Sequence, residues 1–578
     1  MGSVFKESVI NINYTISSLK SVMMMDGFSI LLLGCVMSLT LFRYDATWSD
    51  SESQMAWCVT ILGLVAIGVM VLKKQIVRWS SLDVLVGLYS LYLLANAIYV
   101  SHYPLAHQMI MMGQCVVLYV FIRVTTISGK GIERMMVYFM AIAGVYESMV
   151  AMIQLGELVS ADIMQMTGTF RNPGPLGIYI AVMASPCTCY YLRTREKFIG
   201  FALVVMLMAM SATWSRTAWL AYSIVLFFLF RTYVIRHWKL VLSLIIGTMT
   251  ILYFIKQESA DSRSLMDIIS FNEWTLNPVW GCGVGGYVQA LAHGQMDYFL
   301  NHVNSDFVAC VGTTNMAFNE YLKVLVEQGI VGFAFILSIL GISLYRMLNK
   351  HSNLIYGMIA LCIAALLSYP FHLYPFMLII TLFVALASGG DGYEINVSRG
   401  RRLANVVFLL IPICFSIMMN REVDRHVKIT NEARNYVFMS DAAFMDDYYK
   451  YLPWKNDDRE FLFKFGKMLR NEGRYNDSNA ILRKETFLDT DPMVYVLMGR
   501  NYEDMNLYDE ADSLYRQAFL LQPNRVYPLY RQMKLYEKIG AKPRLTQKAQ
   551  EIMSFTPKIM SPAVKEIKEE AKMIVNSK

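Results

Sequence analysis

The stretch from Lys256 to Gly332 decides how this chain is organised. It begins KQESADSR (256–263), passes through the glycine-rich NPVWGCGVGGY (277–287) and ends in AFNEYLKVLVEQGIVG (317–332). It is the longest polar interruption of a region that is otherwise mainly apolar, with segments long enough to cross a bilayer on both sides. We therefore expect a loop at one face of a membrane. Loops of this length between membrane spans are uncommon unless they have a function.

The composition agrees with a membrane location. The chain has 578 residues, of which 55% are hydrophobic and only 17% are charged. This is too apolar for a soluble protein of that size and predicts an all-α, polytopic helical membrane protein. The net charge of +7 does not imply a nucleic-acid partner. Much of the Lys and Arg lies in short loops between apolar segments, where the positive-inside bias accounts for it.

About 12 to 13 transmembrane helices are predicted from the apolar segments. They lie at 27–42, 55–72, 82–100, 107–122, 134–154, 174–192, 199–213, 217–230, 239–255, 328–345, 353–369, 373–388 and 403–418. Residues 1–26 form an N-terminal cytoplasmic segment. The first apolar run lacks a small-residue cleavage site after it, so we expect a retained span and not a removed signal peptide. The transmembrane domain is thus predicted over 27–420, with its large loop at 256–328.

Charge in the connecting loops predicts the orientation. Basic residues cluster in alternate loops, as in the group Arg193, Arg195 and Lys197, whereas the intervening loops are acidic or neutral. By the positive-inside rule the basic loops are cytoplasmic, which places the large loop on the outer side. An odd number of spans then places residues 421–578 on the outer side as well.

The region 421–578 has a different pattern, which predicts a C-terminal domain of α-helical repeats. The segment 498–524 carries the residue spacing of a tetratricopeptide helix pair, with Gly499, Tyr502, Ala511, Tyr515, Ala518 and Pro523. A second copy lies one period upstream, where Gly473 and Tyr475 align with Asn506 and Tyr508, and a third, weaker copy covers 525–557. Such repeats bind extended segments of other proteins. A solvated helical cap without a ligand is the alternative, and the sequence leaves both open.

Three arginines are expected on the outer side, where no cytoplasmic charge bias explains them. Arg171 lies in GTFRNPGPLG (168–177), Arg216 in TWSRTAWLA (213–221) and Arg263 at the start of the large loop. Three guanidinium groups could converge on a diphosphate, because arginine offers planar, bidentate donors to phosphate oxygens. Alternatively, each pairs with a loop carboxylate or extends to lipid headgroups.

Within the large loop, several residues are candidates for chemistry. The glycine run 281–286 predicts a tight backbone turn and not a nucleotide site, because it neither follows a parallel strand nor opens a βαβ unit. Cys282 and Cys310 could pair in an oxidising compartment, which stays undecided. No metal site is predicted, since no HExxH, CxxC or aspartate cluster occurs. The possible proton acceptors are His293, His302, Glu320 and Glu327.

These blocks, taken in order, resemble the O-antigen ligase and polymerase superfamily, which includes bacterial O-linked oligosaccharyltransferases. The resemblance covers about residues 27–390 and depends on the blocks at 168–177, 213–221, 259–263, 277–287 and 317–332. It implies a metal-independent glycosyltransferase without cofactors, in the bacterial inner membrane, with the loop and the repeats in the periplasm. The donor would be a glycan on undecaprenyl pyrophosphate. The acceptor would be a hydroxyl of a protein, of lipid A core or of a growing glycan.

The resemblance also implies roles for individual residues. Arg216 and Arg263 match arginines that hold the pyrophosphate, and Arg171 lies in a third block. Ligases of this family usually carry a histidine directly before an asparagine, but here Phe318 precedes Asn319. The catalytic histidine therefore does not carry over. Glu320 or His302 is expected to act as general base beside Asn319, unless Glu320 only caps a helix or pairs with an arginine.

Five functions remain open at this stage. Transfer to protein Ser or Thr is favoured, because a tetratricopeptide-like surface suits a polypeptide and could hold a periplasmic protein. The other transferase options are an O-antigen ligase or an O-antigen polymerase. A flippase would need more polar residues at membrane depth than Glu147 and Gln154. A non-catalytic assembly scaffold is favoured by the loss of the histidine.

Overall fold

The computed structural model describes most of the chain. The described residues are 29–42, 50–73, 78–101, 106–125, 130–157, 166–237, 257–303, 305–314, 316–389, 393–394, 399–436 and 444–576, with positions 239, 243 and 247. The N-terminal segment 1–26 and nearly all of the predicted span 239–255 lie outside them.

The described residues are almost entirely helical, which confirms the all-α prediction. One short antiparallel pair joins Arg78–Trp79 to Tyr393–Glu394. The helices before the large loop are α1 Ser29–Leu39, α2 Asp50–Lys73, α3 Ser81–Tyr99, α4 Ala106–Thr125, α5 Lys130–Glu157, α6 Pro173–Thr194, α7 Lys197–Ala212, α8 Arg216–Leu229 and α9 Arg231–Arg236. The loop contains α10 Gln257–Leu276, α11 Tyr287–Asn301 and a 3-10 turn at Asp306–Ala309. After it come α12 Glu320–Asn349, α13 Ile355–Leu367, a 3-10 turn at Pro370–His372, α14 Tyr374–Ala387 and α15 Arg399–Tyr436.

Four of the described helices are long and apolar enough to cross a membrane. These candidates are Ser81–Tyr99, Gly131–Leu155, Pro173–Thr194 and Glu320–Asn349. Six further helices are apolar but shorter, at Ser29–Leu39, Met109–Arg123, Lys197–Ala212, Arg216–Leu229, Ile355–Leu367 and Tyr374–Ala387. A membrane protein is consistent with these lengths. The full count of 12 to 13 spans stays a prediction.

The chain forms two compact units, and each draws on separated parts of the sequence. The first comprises 1–94, 107–245 and 333–427; the second comprises 95–106, 246–332 and 428–578. The large loop therefore groups with the C-terminal repeats and not with the apolar helices.

The helix α6 is the centre of the first unit, with α5, α7, α8 and α13 packed around it. It begins where Asn172 caps it: the Asn172 side chain accepts a hydrogen bond from the N–H of Gly174, and Pro173 takes the first helical position. It ends at Arg195, whose backbone is left-handed with φ 57°. This central helix holds the two turns at 168–172 and 213–215 at one end of the unit.

The C-terminal part of the second unit consists of stacked helix pairs. Its helices are α16 Met445–Tyr451, α17 Arg459–Asn471, α18 Tyr475–Glu485, α19 Pro492–Asp504, α20 Tyr508–Leu521, α21 Tyr527–Lys538, α22 Lys542–Ser554 and α23 Pro562–Asn576. The turn inside each pair contains a residue with positive φ, namely Gly473, Asn506 and Gly540. Gly499 lets the ring of Tyr515 approach so closely that an added Cβ would lie 2.6 Å from it, and Gly466 receives Leu482 in the same way one period earlier.

Candidate functional site

The glycine-rich segment of the large loop is a turn held against a kink in α12. The backbone of Gly281, Gly283 and Gly285 has positive φ, which confirms the predicted tight turn. The N–H of Cys282 donates to Val326 O at 2.8 Å, and the N–H of Ile330 donates to Pro278 O at 2.9 Å. Two backbones therefore run side by side, with no room for side chains between them.

Gly329 makes this close approach possible. It interrupts α12 with φ 63° and ψ −168°, a conformation that is essentially restricted to glycine. A Cβ at this position would lie 2.1 Å from Val279 O, and one at Gly281 would lie 2.4 Å from the carbonyl carbon of Glu327. The first turns of α12 are thus fixed to the glycine turn.

Polar side chains fix the other side of the turn. Asn96, near the end of α3, accepts from the N–H of Val284 at 2.9 Å and donates to Trp280 O at 3.0 Å. Ser101 Oγ donates to Val284 O at 2.8 Å. The carboxylate of Glu327 accepts from the N–H groups of Gly285 and Tyr287. Glu327 was a possible proton acceptor by sequence; here it binds the N-terminal end of α11.

The start of α12 brings together two residues of the predicted site, Arg263 and Asn319, with two further side chains, Asp267 and Phe318. Asn319 caps the helix, since its Oδ1 accepts from the N–H of Leu322 at 3.2 Å. Its side chain also hydrogen-bonds to Asp267, one turn after Arg263 in α10. The guanidinium of Arg263 lies over the ring of Phe318, 4.8 Å from its centroid. Arg263, Asp267, Phe318 and Asn319 thus form one connected group, which we call the loop cluster.

Within the loop cluster, the Arg263 guanidinium and the Asp267 carboxyl group interact electrostatically. Burial raises the pKa of Asp267, while its hydrogen bond from Asn319 and the charge of Arg263 lower it. Shifted pKa values of this kind cluster at functional sites and also occur in structural ion-pair networks.

Glu320 lies next to the loop cluster, at the first helical position of α12, and its side chain is buried. Lys323, one turn later, interacts electrostatically with Glu320 and Glu327. A half-buried lysine between two carboxylates keeps the local charge close to balance.

His302 is placed differently. It follows the last residue of α11 and is exposed. Its ring stacks on Tyr298 with centroids 4.5 Å apart, and Nδ1 lies 3.0 Å from Tyr298 O. Both of these contacts of the His302 ring are with Tyr298, while the His302 carbonyl accepts from the N–H of Ser305 at 3.2 Å. One ring nitrogen of His293 also has a partner, because Nδ1 lies 3.0 Å from Glu273 Oε1.

In the first unit, the blocks that contain Arg171 and Arg216 lie against each other. Ser215 caps α8 directly before Arg216, and its Oγ also donates to Gly174 O at 3.3 Å. Gly177 allows this contact, because a Cβ there would lie 2.7 Å from the Cβ of Ser215. We call the two segments 168–174 and 213–216 the arginine turns.

Both arginine turns contain a residue with left-handed backbone. Arg171 has φ 56° and Trp214 has φ 51°. Each such conformation in a residue other than glycine costs on the order of 1 to 3 kcal/mol, and it persists where the surroundings impose it, often at functional sites. Arg171 is exposed and Arg216 is half-buried.

Glu147 and Gln154, the two polar residues noted at membrane depth, support the first arginine turn. Gln154 Oε1 accepts from the N–H groups of Thr167 and Gly168, at 3.0 and 2.8 Å. Glu147 is fully buried and accepts from the hydroxyl of Thr169 at 2.8 Å. They hold the backbone that presents Arg171.

A further segment reaches the same turn. The amide of Asn172 donates to the hydroxyl of Tyr369 at 3.2 Å, and the ring of His372 lies edge-on to that of Tyr369. His372 is thereby a second histidine candidate, within the first unit.

The described residues contain no group of three or more His, Cys, Asp or Glu side chains that could hold a metal ion. Cys282 and Cys310 are both free thiols. Burial raises the pKa of the Cys282 thiol to about 12, so it is protonated at neutral pH.

The structure adds three residues to the candidates from the sequence: Asp267, Lys323 and His372. Helical spacing could have revealed two of them, since Asp267 follows Arg263 by four positions and Lys323 lies three positions from Glu320 and four from Glu327. For His372 no sequence signal exists beyond its place in a loop between two apolar segments.

No family model and no curated protein matches this chain. The function is therefore argued from the residues and geometry above.

Proposed function

We propose that this protein is a metal-independent membrane glycosyltransferase. It moves an oligosaccharide from undecaprenyl pyrophosphate to an acceptor hydroxyl at the periplasmic face of the bacterial inner membrane, and the acceptor is a protein Ser or Thr. The observation that carries the proposal is the packing of the two arginine turns, which hold Arg171 and Arg216 on backbone that is locked by Ser215, Gln154 and Glu147.

In this reaction the acceptor oxygen attacks the anomeric carbon of the donor sugar. The bond between that carbon and the phosphate oxygen breaks, and the pyrophosphate leaves with the electron pair. Arginine donors aimed at the phosphate oxygens stabilise the charge that develops there. The predicted role of Arg263 as a further pyrophosphate ligand stays a prediction of the sequence.

The proton of the acceptor hydroxyl must go to a base. Glu320 and Asp267 are the carboxylates beside Asn319, and either can act if the hydroxyl comes within hydrogen-bond distance. His302 is the weaker candidate of the original set, because its ring is occupied by Tyr298.

A non-catalytic scaffold is the second candidate. The observation that favours it is Phe318, which stands where the resembling ligases carry a histidine and covers one face of the Arg263 guanidinium. A scaffold would need neither Arg216 nor Glu320 for its function, so the two proposals differ in a measurable way.

The test compares the glycans of an intact bacterium with those of a strain that lacks the chain, scoring periplasmic glycoproteins and lipopolysaccharide in parallel. Complementation uses the wild-type chain, Arg216→Ala and the control Arg236→Ala, which removes an exposed arginine at the end of the next helix, α9. We expect protein glycosylation to be lost and to return with the control but not with Arg216→Ala. Loss of long lipopolysaccharide alone would make the protein an O-antigen ligase or polymerase. If both kinds of glycan persist, the transferase proposal is wrong.

A further inference from the structure

We propose that the helical repeats are a support for the loop cluster, and that Thr490 and Asn524 are its positioning residues. The inference rests on the proposed function for the roles of Asn319 and Glu320. Its structural part is independent of that function.

The segment 311–319 leads from the 3-10 turn at Asp306–Ala309 to α12 and carries Phe318 and Asn319. Its described residues are neither helical nor part of a sheet. Backbone N–H and C=O groups outside regular structure need other partners when they are buried. The position of this segment therefore depends on the side chains that bind it.

The hydroxyl of Thr490 makes two hydrogen bonds to this segment, one as acceptor and one as donor. Its hydroxyl accepts from the N–H of Thr314 at 2.9 Å and donates to Thr314 O at 3.3 Å. The residue is fully buried, with 0% of its surface exposed. A single hydroxyl thus replaces the donor and the acceptor that a neighbouring strand would offer.

Asn524 makes the equivalent bond from the next repeat. Its amide donates to Val311 O at 2.8 Å. Thr490 follows the first helix pair and Asn524 follows the second, and the two positions differ by one tetratricopeptide period. The same edge of two successive repeats therefore binds carbonyls of one short segment.

Additional contacts strengthen this edge. Gln295 of α11 is buried and donates to Leu521 O. Leu520 packs on the apolar cluster of the loop, which also includes Phe318. Gln522 donates to Thr490 O at 3.5 Å and so joins the two repeat turns.

The kinetic effect of substitutions at this edge distinguishes a supporting role of the repeats from recognition of an acceptor protein. If the repeats served only to bind acceptor polypeptides, changes at this edge would alter the KM for the protein acceptor. If the repeats position the loop cluster, the same changes lower kcat for every acceptor and leave the KM for the protein largely unchanged.

The experiment uses the full-length protein in nanodiscs and measures hydrogen exchange and transfer together. Thr490→Val keeps the side-chain shape but removes both bonds, and Asn524→Leu removes the third. Thr490→Ser keeps the hydroxyl. Thr486→Val is the matched control, because the Thr486 hydroxyl is exposed and bonds only to Arg483 O.

We expect the Thr490→Val/Asn524→Leu variant to exchange about tenfold faster at 311–319, a change that the loss of two or three ordinary hydrogen bonds can produce. Protection of α19 and α20 should remain, Thr490→Ser should retain most of the protection at 311–319, and kcat should fall with the double variant but not with Thr490→Ser or Thr486→Val.

Unchanged exchange at 311–319 with intact helices would overturn the support role, as would faster exchange with unchanged kcat in an active protein. If the wild-type chain shows no transfer at all, the proposed function fails, while the exchange data still decide whether the repeats hold the segment. If the double variant does not fold, the single variants and Thr490→Ser give the same comparison.

Discussion

Gly329 is the residue on which the geometry of the loop depends most. A side chain at this position meets the backbone of Val279 at 2.1 Å and also requires a conformation that L-residues avoid. We predict that Gly329→Ala lowers the free energy of unfolding by about 3 kcal/mol or more. The measurement is the midpoint of thermal unfolding in nanodiscs.

The control is Gly341→Ala in the same helix, where an added Cβ meets nothing within 4 Å. It should leave stability unchanged or raise it slightly, since alanine is the better helix former. Equal effects of the two substitutions would contradict the strained contact at Gly329.

Phe318 is the second residue with a specific expected role. Its ring holds the guanidinium of Arg263 at 4.8 Å, a cation–π contact worth about 0.5 to 2 kcal/mol. We expect Phe318→Leu to lower the transfer rate about threefold to tenfold and stability by no more than about 2 kcal/mol, because leucine fills the apolar site but does not orient the arginine. The check is kcat beside the unfolding midpoint. A rate equal to that of the wild type would show that Arg263 needs no ring to hold it.

At the scale of elements, the end of α18 should make the stability of the folded protein depend on pH. The residue responsible is Glu485, the last residue of that helix. Glu485 is buried, and burial together with Asp489 and Asp491 raises its pKa to about 9, with only Arg459 acting in the opposite sense. The folded protein then holds a proton between pH 4.5 and 9 that the unfolded chain releases. Stability should therefore fall as the pH rises through this window, by at most about 1.4 kcal/mol per pH unit.

Glu485→Gln removes the titrating group and should flatten this dependence. The unfolding midpoint of the full-length protein, followed from pH 6 to pH 9, measures the effect, with the exposed Glu472→Gln as control. The same slope in the wild type and in Glu485→Gln would contradict the assignment to Glu485.

The helices and turns of this chain could be predicted from the sequence, whereas the contacts between them could not. Apolar periodicity predicts the helices on both sides of the loop, and the spacing of Gly499, Tyr515 and Ala518 predicts the repeats, because both signals are local. The glycine run likewise predicts its turn. The contacts of the turn with Asn96 and Glu327, and those of Thr490 with Thr314, join residues far apart in the chain. Local patterns do not contain them.

The candidate site follows the same rule: residues within local sequence blocks could be predicted, and residues that depend on long-range contacts could not. Asn319 and Arg263 were candidates from their sequence blocks, and the structure places both in the loop cluster. Asp267 and His372 gain interest only through contacts with Asn319 and with Tyr369 that the fold creates. His302 was attractive as an isolated histidine, but its ring is bound by Tyr298.

At the scale of the whole molecule, Thr490 and Asn524 bind the loop directly. We therefore expect the loop and the repeats on the same side of the membrane. We predict that a membrane-impermeant maleimide labels Ser264→Cys and Asp509→Cys equally in intact cells. Lys197→Cys, at the start of α7 beside the basic residues Arg193 and Arg195, should be labelled only after permeabilisation. All three positions are exposed. Opposite labelling at 264 and 509 would contradict the fold of the second unit.

The central claim is that the arginine turns bind the pyrophosphate of a lipid-linked glycan during transfer. The most direct measurement is transfer from undecaprenyl pyrophosphate glycan to a purified periplasmic protein by the chain in nanodiscs, with chelator present. We predict transfer by the wild type and by Arg236→Ala, with kcat reduced about 100-fold or more in Arg216→Ala and partly restored in Arg216→Lys. Transfer by Arg216→Ala at the rate of the wild type would contradict the claim.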